Sequence, residues 1–166
     1  MSIIAVYAGT FDPITNGHLD IIRRSMEFCT TLVIAIGVNS SKKTMFSEKE
    51  RLAQISQALD GLVLLDGQNI EVSSFQGLLV DYAKQEGAKV LIRGIRNVSD
   101  FEYEINLANI NKTVAPGIDT IFLPTSPELA VVSSSMVKEI AKYGGDVSRF
   151  VPKHVEQIIK SRFAGD

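Results

Sequence analysis

The segment Gly9-Thr10-Phe11-Asp12-Pro13-Ile14-Thr15-Asn16-Gly17-His18 joins a short apolar run to a stretch of helical periodicity. Gly9 lets the backbone turn sharply and leaves amides free, and Thr10 sets a hydroxyl beside them. Gly17 and His18 fall where the helix begins. The first N–H groups of a helix lack intrahelical partners and carry partial positive charge, so a phosphate is attracted there. A histidine at that point can donate to a phosphate oxygen, and titration near neutrality would make the contact sensitive to pH. Three other places carry related chemistry. Lys42 offers a mobile ammonium that can bridge two phosphates. Arg93 and Arg96 can make forked, charge-assisted hydrogen bonds, and Gly94 between them lets the backbone approach a ligand closely. Ser133-Ser134-Ser135 supplies hydroxyls and amides at another helix start. Each has a plainer reading: loop residues that cap a helix, a surface lysine, arginines paired with Asp100, Glu102 or Glu104, and a serine cap. No Ser-His-Asp triad, Cys–His pair or carboxylate dyad is present, so the chemistry expected is the holding of phosphates.

These residues need a scaffold, and the periodicity supplies one. Apolar, β-branched runs predict strands over 3–8, 31–38, 69–74, 89–93 and 120–124. Residues spaced by three and four predict helices over 17–29, 48–59, 77–86, 99–112, 134–143 and 152–163, the last with Pro152 at its first position. Ser47-x-x-Glu50 and Ser99-x-x-Glu102 have the capping-box form. Regular β-α alternation with apolar strands implies a single α/β domain over 1–166, a five-stranded parallel sheet with helices on both faces. Ligands of such sheets bind beyond the carboxyl ends of the strands, where the strand order reverses. The segments to read are therefore 9–18, 39–43, 75–77, 94–97 and 125–135, which hold the residues above. Cys29 reads as core, His154 as exposed and without a partner, and Leu78, Leu79 and Tyr82 as a helix's core face.

Composition narrows the function. The chain has 166 residues, 45% apolar and 22% charged, which excludes disorder. Seventeen Lys and Arg against nineteen Asp and Glu give a formal charge of −2, so a basic protein coating nucleic acid is not expected. One cysteine makes no internal disulfide, and no His or Cys cluster has metal-ligand spacing. The apolar run at 32–36 is too short to span a bilayer. The first residues lack signal-peptide character and neither end reads as a lipidation signal, so a soluble, cytoplasmic protein without membrane contact is expected.

The string from Tyr7 to His18 resembles the signature of the nucleotidyltransferase superfamily of Rossmann-like fold, related to class I aminoacyl-tRNA synthetases. The superfamily's His-x-Gly-His stands here as Thr15-Asn16-Gly17-His18. With Ser41-Lys42-Lys43, Ile92-Arg93-Gly94-Ile95-Arg96, Asp100-Phe101-Glu102-Tyr103-Glu104 and Ser133-Ser134-Ser135, nearly the whole chain is similar to the bacterial phosphopantetheine adenylyltransferases. The resemblance implies adenylyl transfer from ATP to 4′-phosphopantetheine, giving dephospho-coenzyme A and pyrophosphate. It implies in-line attack without a covalent enzyme intermediate. It makes His18, Lys42 and Arg93 catalytic, and gives Thr10, Lys42, Leu79 and Arg93 to the acceptor. It gives Thr10, Phe11, His18, Gly94, Ile95, Arg96, Glu104, Leu129, Ala130, Val131, Val132, Ser133, Ser134 and Ser135 to ATP. Mg²⁺ on the ATP phosphates, a homohexamer and coenzyme A as a feedback ligand are implied as well. Leu129-Ala130-Val131-Val132 replaces a stretch where the family more often carries an aromatic and a serine, so adenine would be read by backbone groups there. The alternatives are a transferase using CTP or another phosphate acceptor, and a non-catalytic nucleotide-binding regulator.

Overall fold

The computed structural model describes residues 2–39, 41 and 43–164. Its elements alternate as the periodicity predicts. They are β1 (Ile4–Gly9), α1 (Asn16–Ser25), β2 (Thr31–Gly37), α2 (Glu48–Leu59), β3 (Asn69–Phe75), α3 (Leu79–Gln85), β4 (Val90–Ile95), α4 (Val98–Val114), β5 (Asp119–Pro124), a 3₁₀ turn (Pro127–Leu129), α5 (Ser134–Lys142) and α6 (Lys153–Phe163). All strand pairs are parallel and the order is β3-β2-β1-β4-β5. The chain grows outward from β1 in one direction and then resumes on its other side with β4. The reversal of strand order therefore lies between β1 and β4.

The central strands are apolar on both faces because both faces are covered. Ala5 and Tyr7 of β1 join a cluster with Ile22 of α1, Val137 of α5 and Val155 of α6. Val6 and Ala8 turn the other way, toward Val80 and Ala83 of α3 and Ala115 after α4. Each fully buried Val, Leu or Ile contributes about 1.5–3 kcal/mol, so this sandwich holds β1 and β4 rigidly. At their carboxyl ends the two strands part. Pairing between them runs only from Ala5 with Val90 to Tyr7 with Ile92. On the outer sides β1 stays paired with β2 through Gly9, and β4 with β5 through Ile95. The opening is thus built into the sheet.

Several element ends differ from expectation by one to four residues, three of them instructively. Helix α1 stops at Ser25 rather than Cys29; its last turn tightens, with Met26 N–H donating to Arg23 O at 3.2 Å and Glu27 N–H to Arg24 O at 3.3 Å. Cys29 is core as predicted, 3% exposed. Helix α4 starts at Val98, two residues before the expected cap could act: the Asn97 side chain accepts from Asp100 N–H at 2.8 Å, and Ser99 lies inside the helix. Pro152 is the residue before α6 rather than its first, whereas the capping box at Ser47 and Glu50 forms as predicted. His154 is half-buried, its Nε2 2.9 Å from Gln54 O, and so has a partner after all. Leu78 points to solvent, 59% exposed, while Leu79 and Tyr82 pack against the core as expected.

Candidate active site

A cleft of about 330 Å³ opens where β1 and β4 diverge. Its floor is Tyr7, Gly9, Gly94 and Ile21, and its walls are the starts of α1 and α5. A second hollow of about 290 Å³ adjoins it toward β2, between Gly37, Phe75 and Leu79. The two share Ala8, Gly9, Thr10 and Arg93.

His18 stands at the centre of the first wall. Thr15 is the N-cap of α1, and His18 is the third helical residue. The two form a capping box in which histidine takes the place usual for Glu or Gln. His18 N–H donates to Thr15 Oγ1 at 3.3 Å, and Thr15 N–H donates to His18 Nδ1 at 3.0 Å. A backbone N–H can only donate, so Nδ1 accepts and the ring proton sits on Nε2. Burial, and then the charge of Arg96, push the His18 pKa down to about 4. The ring is therefore neutral at pH 7, a fixed Nε2–H donor. This corrects the expectation of a contact that titrates near neutrality. Phe11 holds the ring edge-on at 4.9 Å. Phe11 also lines the cleft, with its side chain buried and its backbone in the left-handed region at φ 47°.

Arg93 bridges the split in the sheet. Its Nη1 donates at 2.9 Å to Ala8 O, a carbonyl beyond the last β1–β4 pair. Its Nε donates at 2.6 Å to Glu104 Oε2, and Nη2 donates to Oε1. Glu104 is the buried residue of α4. Three of the five guanidinium N–H groups are thus engaged, and two remain for a ligand. Arg96 is held the same way by Asp100, at 2.7 and 3.0 Å, and the guanidinium keeps the Asp100 carboxyl below the usual carboxylate range. Both arginines make the ion pairs that the plainer reading names. They also line the cleft, because each pair holds its guanidinium in place there. Glu104 contributes as Arg93's anchor, with both its oxygens committed. Gly94 is close-packed against the helix beneath: a Cβ there would meet Ile21 Cγ1 at 3.1 Å, so its small size serves α1 packing.

The three serines divide their work. Ser133 caps α5 by accepting from Met136 N–H at 3.1 Å, and Ser134 Oγ donates to Pro13 O at 2.8 Å. Ser135 lines the cleft, with the amides of the first helical turn beside it. Of the preceding stretch, Val132 reaches the cleft wall but is buried at 4%, whereas Ile95, Leu129, Ala130 and Val131 are not among the cleft's lining residues. The amides of Leu129, Ala130 and Val132 close the 3₁₀ turn by bonding Ser126, Pro127 and Leu129 carbonyls. They are therefore not free to read a base, which narrows the backbone readout expected there. Thr10 lines both hollows and Leu79 the second. Lys42 lies outside the described residues.

Sequence reasoning missed residues that hold the cleft without bordering it. Asp20 accepts from Ser126 N–H at 3.1 Å and Ser126 Oγ at 3.0 Å, fixing the β5–α5 connection to α1. Buried Arg51 donates from Nη1 to Thr10 O at 2.7 Å. The Thr15–His18 spacing did carry a signal, that of a capping box; the partners of Asp20 and Arg51 are 106 and 41 residues distant and left none.

Residues 6–140 match the profile of a family described as Cytidylyltransferase-like. Proteins named phosphopantetheine adenylyltransferase align along nearly the whole chain. The one from Rhodopseudomonas palustris strain HaA2 is 43% identical over 99% of this chain and 100% of its own. That from Lachnoclostridium phytofermentans is 48% identical over 98% and 96%. The chain belongs to the phosphopantetheine adenylyltransferase family. The fold has a wider kinship. A structure of Plasmodium falciparum nicotinic acid mononucleotide adenylyltransferase complexed with NaAD superposes with a TM-score of 0.70, at 13% identity, over 98% of this chain and 96% of that one. Phosphopantetheine adenylyltransferases are nucleotidyltransferase enzymes, and a cleft lined by cations, helix starts and a neutral histidine suits that chemistry.

Proposed function

We propose that this chain transfers the adenylyl group of ATP to 4′-phosphopantetheine by direct in-line displacement. An oxygen of the acceptor's phosphate forms a bond to the α-phosphorus of ATP. The bond from that phosphorus to the bridging oxygen breaks, and pyrophosphate leaves with its electron pair. A phosphate monoester is anionic at pH 7, so no base is needed and none is supplied: the histidine of the cleft is a donor with its acceptor nitrogen already occupied. Catalysis then rests on positioning and on preorganised charge. That fixed Nε2–H of His18, facing a cleft shared by two guanidinium groups, is the observation that carries the reading.

The two hollows suit two substrates. ATP phosphates fit between the starts of α1 and α5, near His18, Arg96 and Ser135. The acceptor phosphate fits near Thr10, Lys42 and Arg93, with its pantetheine arm against Leu79. ATP would carry Mg²⁺, which would neutralise charge on its phosphates. Among the described residues no group of three or more His, Cys, Asp or Glu could hold a metal, and the cleft carboxylates Glu104 and Asp100 are committed to arginines. Coenzyme A shares both the pantetheine arm and the adenylate with the product, and is a candidate competitor for the same two hollows. Helix α4 exposes Tyr103, Ile110 and Val114 on one face, 51–63% accessible, a face suited to burial against further copies in a homohexamer.

The test is pyrophosphate release from Mg²⁺ with ATP, CTP or GTP and each of several acceptors. Turnover with ATP and 4′-phosphopantetheine alone is expected. Equal turnover with CTP, or with nicotinic acid mononucleotide as acceptor, would replace this reading with another transferase of the same fold.

A further inference from the structure

Asp12 is a buried charge that the transfer step does not use. It is 1% exposed. Its Oδ1 accepts from Phe46 N–H at 2.9 Å, and its Oδ2 accepts at 2.9 Å from both Met45 N–H and Lys138 Nζ. A carboxylate is tolerated at such depth only when paired and hydrogen-bonded, and bonds to an ionised group are the stronger kind. These three bonds come from two separate segments. Met45 and Phe46 end the β2–α2 connection, in which Lys42 falls by sequence. Lys138 lies one turn into α5, beyond the serines that border the cleft. Phe46 is fully buried, so its amide bond to Asp12 fixes a core residue, not a loose tip. Ser134 Oγ on Pro13 O ties the start of α5 to the same β1–α1 segment independently of Asp12.

We propose that Asp12 is a positioning residue that anchors the β2–α2 connection, the acceptor side of the cleft, and thereby sets acceptor affinity without touching substrate. This rests on the assignment of that side to 4′-phosphopantetheine. The two amide bonds do the anchoring. Lys138 neutralises the carboxylate, and the ATP side keeps its own tether through Ser134.

The substitution Asp12→Asn keeps the volume and one acceptor oxygen but turns an amide N–H₂ toward N–H donors. Binding of 4′-phosphopantetheine and of ATP is measured separately by calorimetry, beside Lys138→Met, which leaves both backbone bonds. Asp12→Asn is expected to weaken the acceptor about tenfold and ATP less than about twofold, and Lys138→Met to weaken the acceptor less than about threefold. Equal loss for both substrates, no loss for either, or the same acceptor loss from Lys138→Met would overturn the proposal. Should Asp12→Asn not fold, hydrogen exchange of the native protein decides. The Met45 and Phe46 amides are expected to exchange far more slowly than exposed loop amides, and fast exchange at both overturns the anchor. Native turnover of ATP with 4′-phosphopantetheine is run alongside. Its absence overturns the substrate assignment, while slow exchange at Met45 and Phe46 would still support Asp12 as the anchor.

Discussion

The two flanks of the cleft are held by carboxylates eight residues apart, and they are held differently. On the β2 side, fully buried Asp12 takes two core-end amides and an ammonium. On the β5 side, Asp20 keeps 18% of its side chain exposed and holds Ser126, while Arg24 leans on it at 3.3 Å. The arginines repeat the contrast. Arg93 and Glu104 are 26% and 11% exposed, Arg96 and Asp100 35% and 23%. The flank proposed for the acceptor is therefore the more deeply buried of the two, and the flank proposed for the nucleotide has the more exposed ion pairs. Damage to the first should cost stability and geometry together, whereas damage to the second should cost affinity with little change in stability.

His18 stands between the flanks, so its loss should give the largest effect and favour neither substrate. His18→Ala is expected to lower kcat by about 10²–10³ through loss of a preorganised donor. It also removes half a capping box, worth about 1 kcal/mol. His18→Gln separates the two roles, because Gln is a natural partner at that helix position. Thermal unfolding should show the cap restored while turnover stays low. Full activity in His18→Ala would remove the histidine from the mechanism.

Next come the arginines, which test the contrast directly. Arg93→Lys cannot reproduce the fork on Glu104 and the bond to Ala8 O together. It should raise the acceptor KM about tenfold or more, with a smaller change for ATP, and should lower the melting temperature. Lys42→Ala should show the same preference for the acceptor in steady-state titrations. Arg96→Gln should raise the ATP KM and leave stability within about 1 kcal/mol, as expected of a partly exposed pair. Equal losses for both substrates in the Arg93 and Arg96 variants would abolish the distinction between flanks.

How much of this was legible in the sequence depends on the distance between partners. The strands, the parallel sheet and the location of the cleft follow from local periodicity, and the β1–β4 split lies where the topology requires. Thr15 and His18 have the three-residue spacing of a capping box, but histidine in place of Glu or Gln kept it from being read as one. The ion pairs of Arg93 and Arg96 could be anticipated because their partners lie in the adjacent helix. Asp12 with Lys138, and Asp20 with Ser126, join residues more than 100 positions apart, and no local pattern marks them. Leu129, Ala130 and Val131 do not line the cleft, and a 3₁₀ turn, invisible in periodicity, engages the amides of Leu129, Ala130 and Val132.

The smallest expected effect concerns pH. His18 has a folded pKa of about 4 against 6.5 for the ordinary group. As pH falls from 6.5 to 4, the unfolded chain gains a proton that the folded chain refuses. The stability this histidine contributes is therefore full above pH 6.5 and is lost as pH falls through that window. Between pH 5 and 8 its protonation should leave kcat unchanged. A break in the rate profile near 6.5 that disappears in His18→Gln would contradict the neutral-donor role.

The central claim is a single displacement at the α-phosphorus between two substrates that the protein only holds. ATP made chiral at that phosphorus by sulfur substitution tests it, with the configuration of the dephospho-coenzyme A product read by phosphorus NMR. One in-line displacement predicts inversion. Retention would mean two displacements through a covalent adenylyl-enzyme, and would contradict the account.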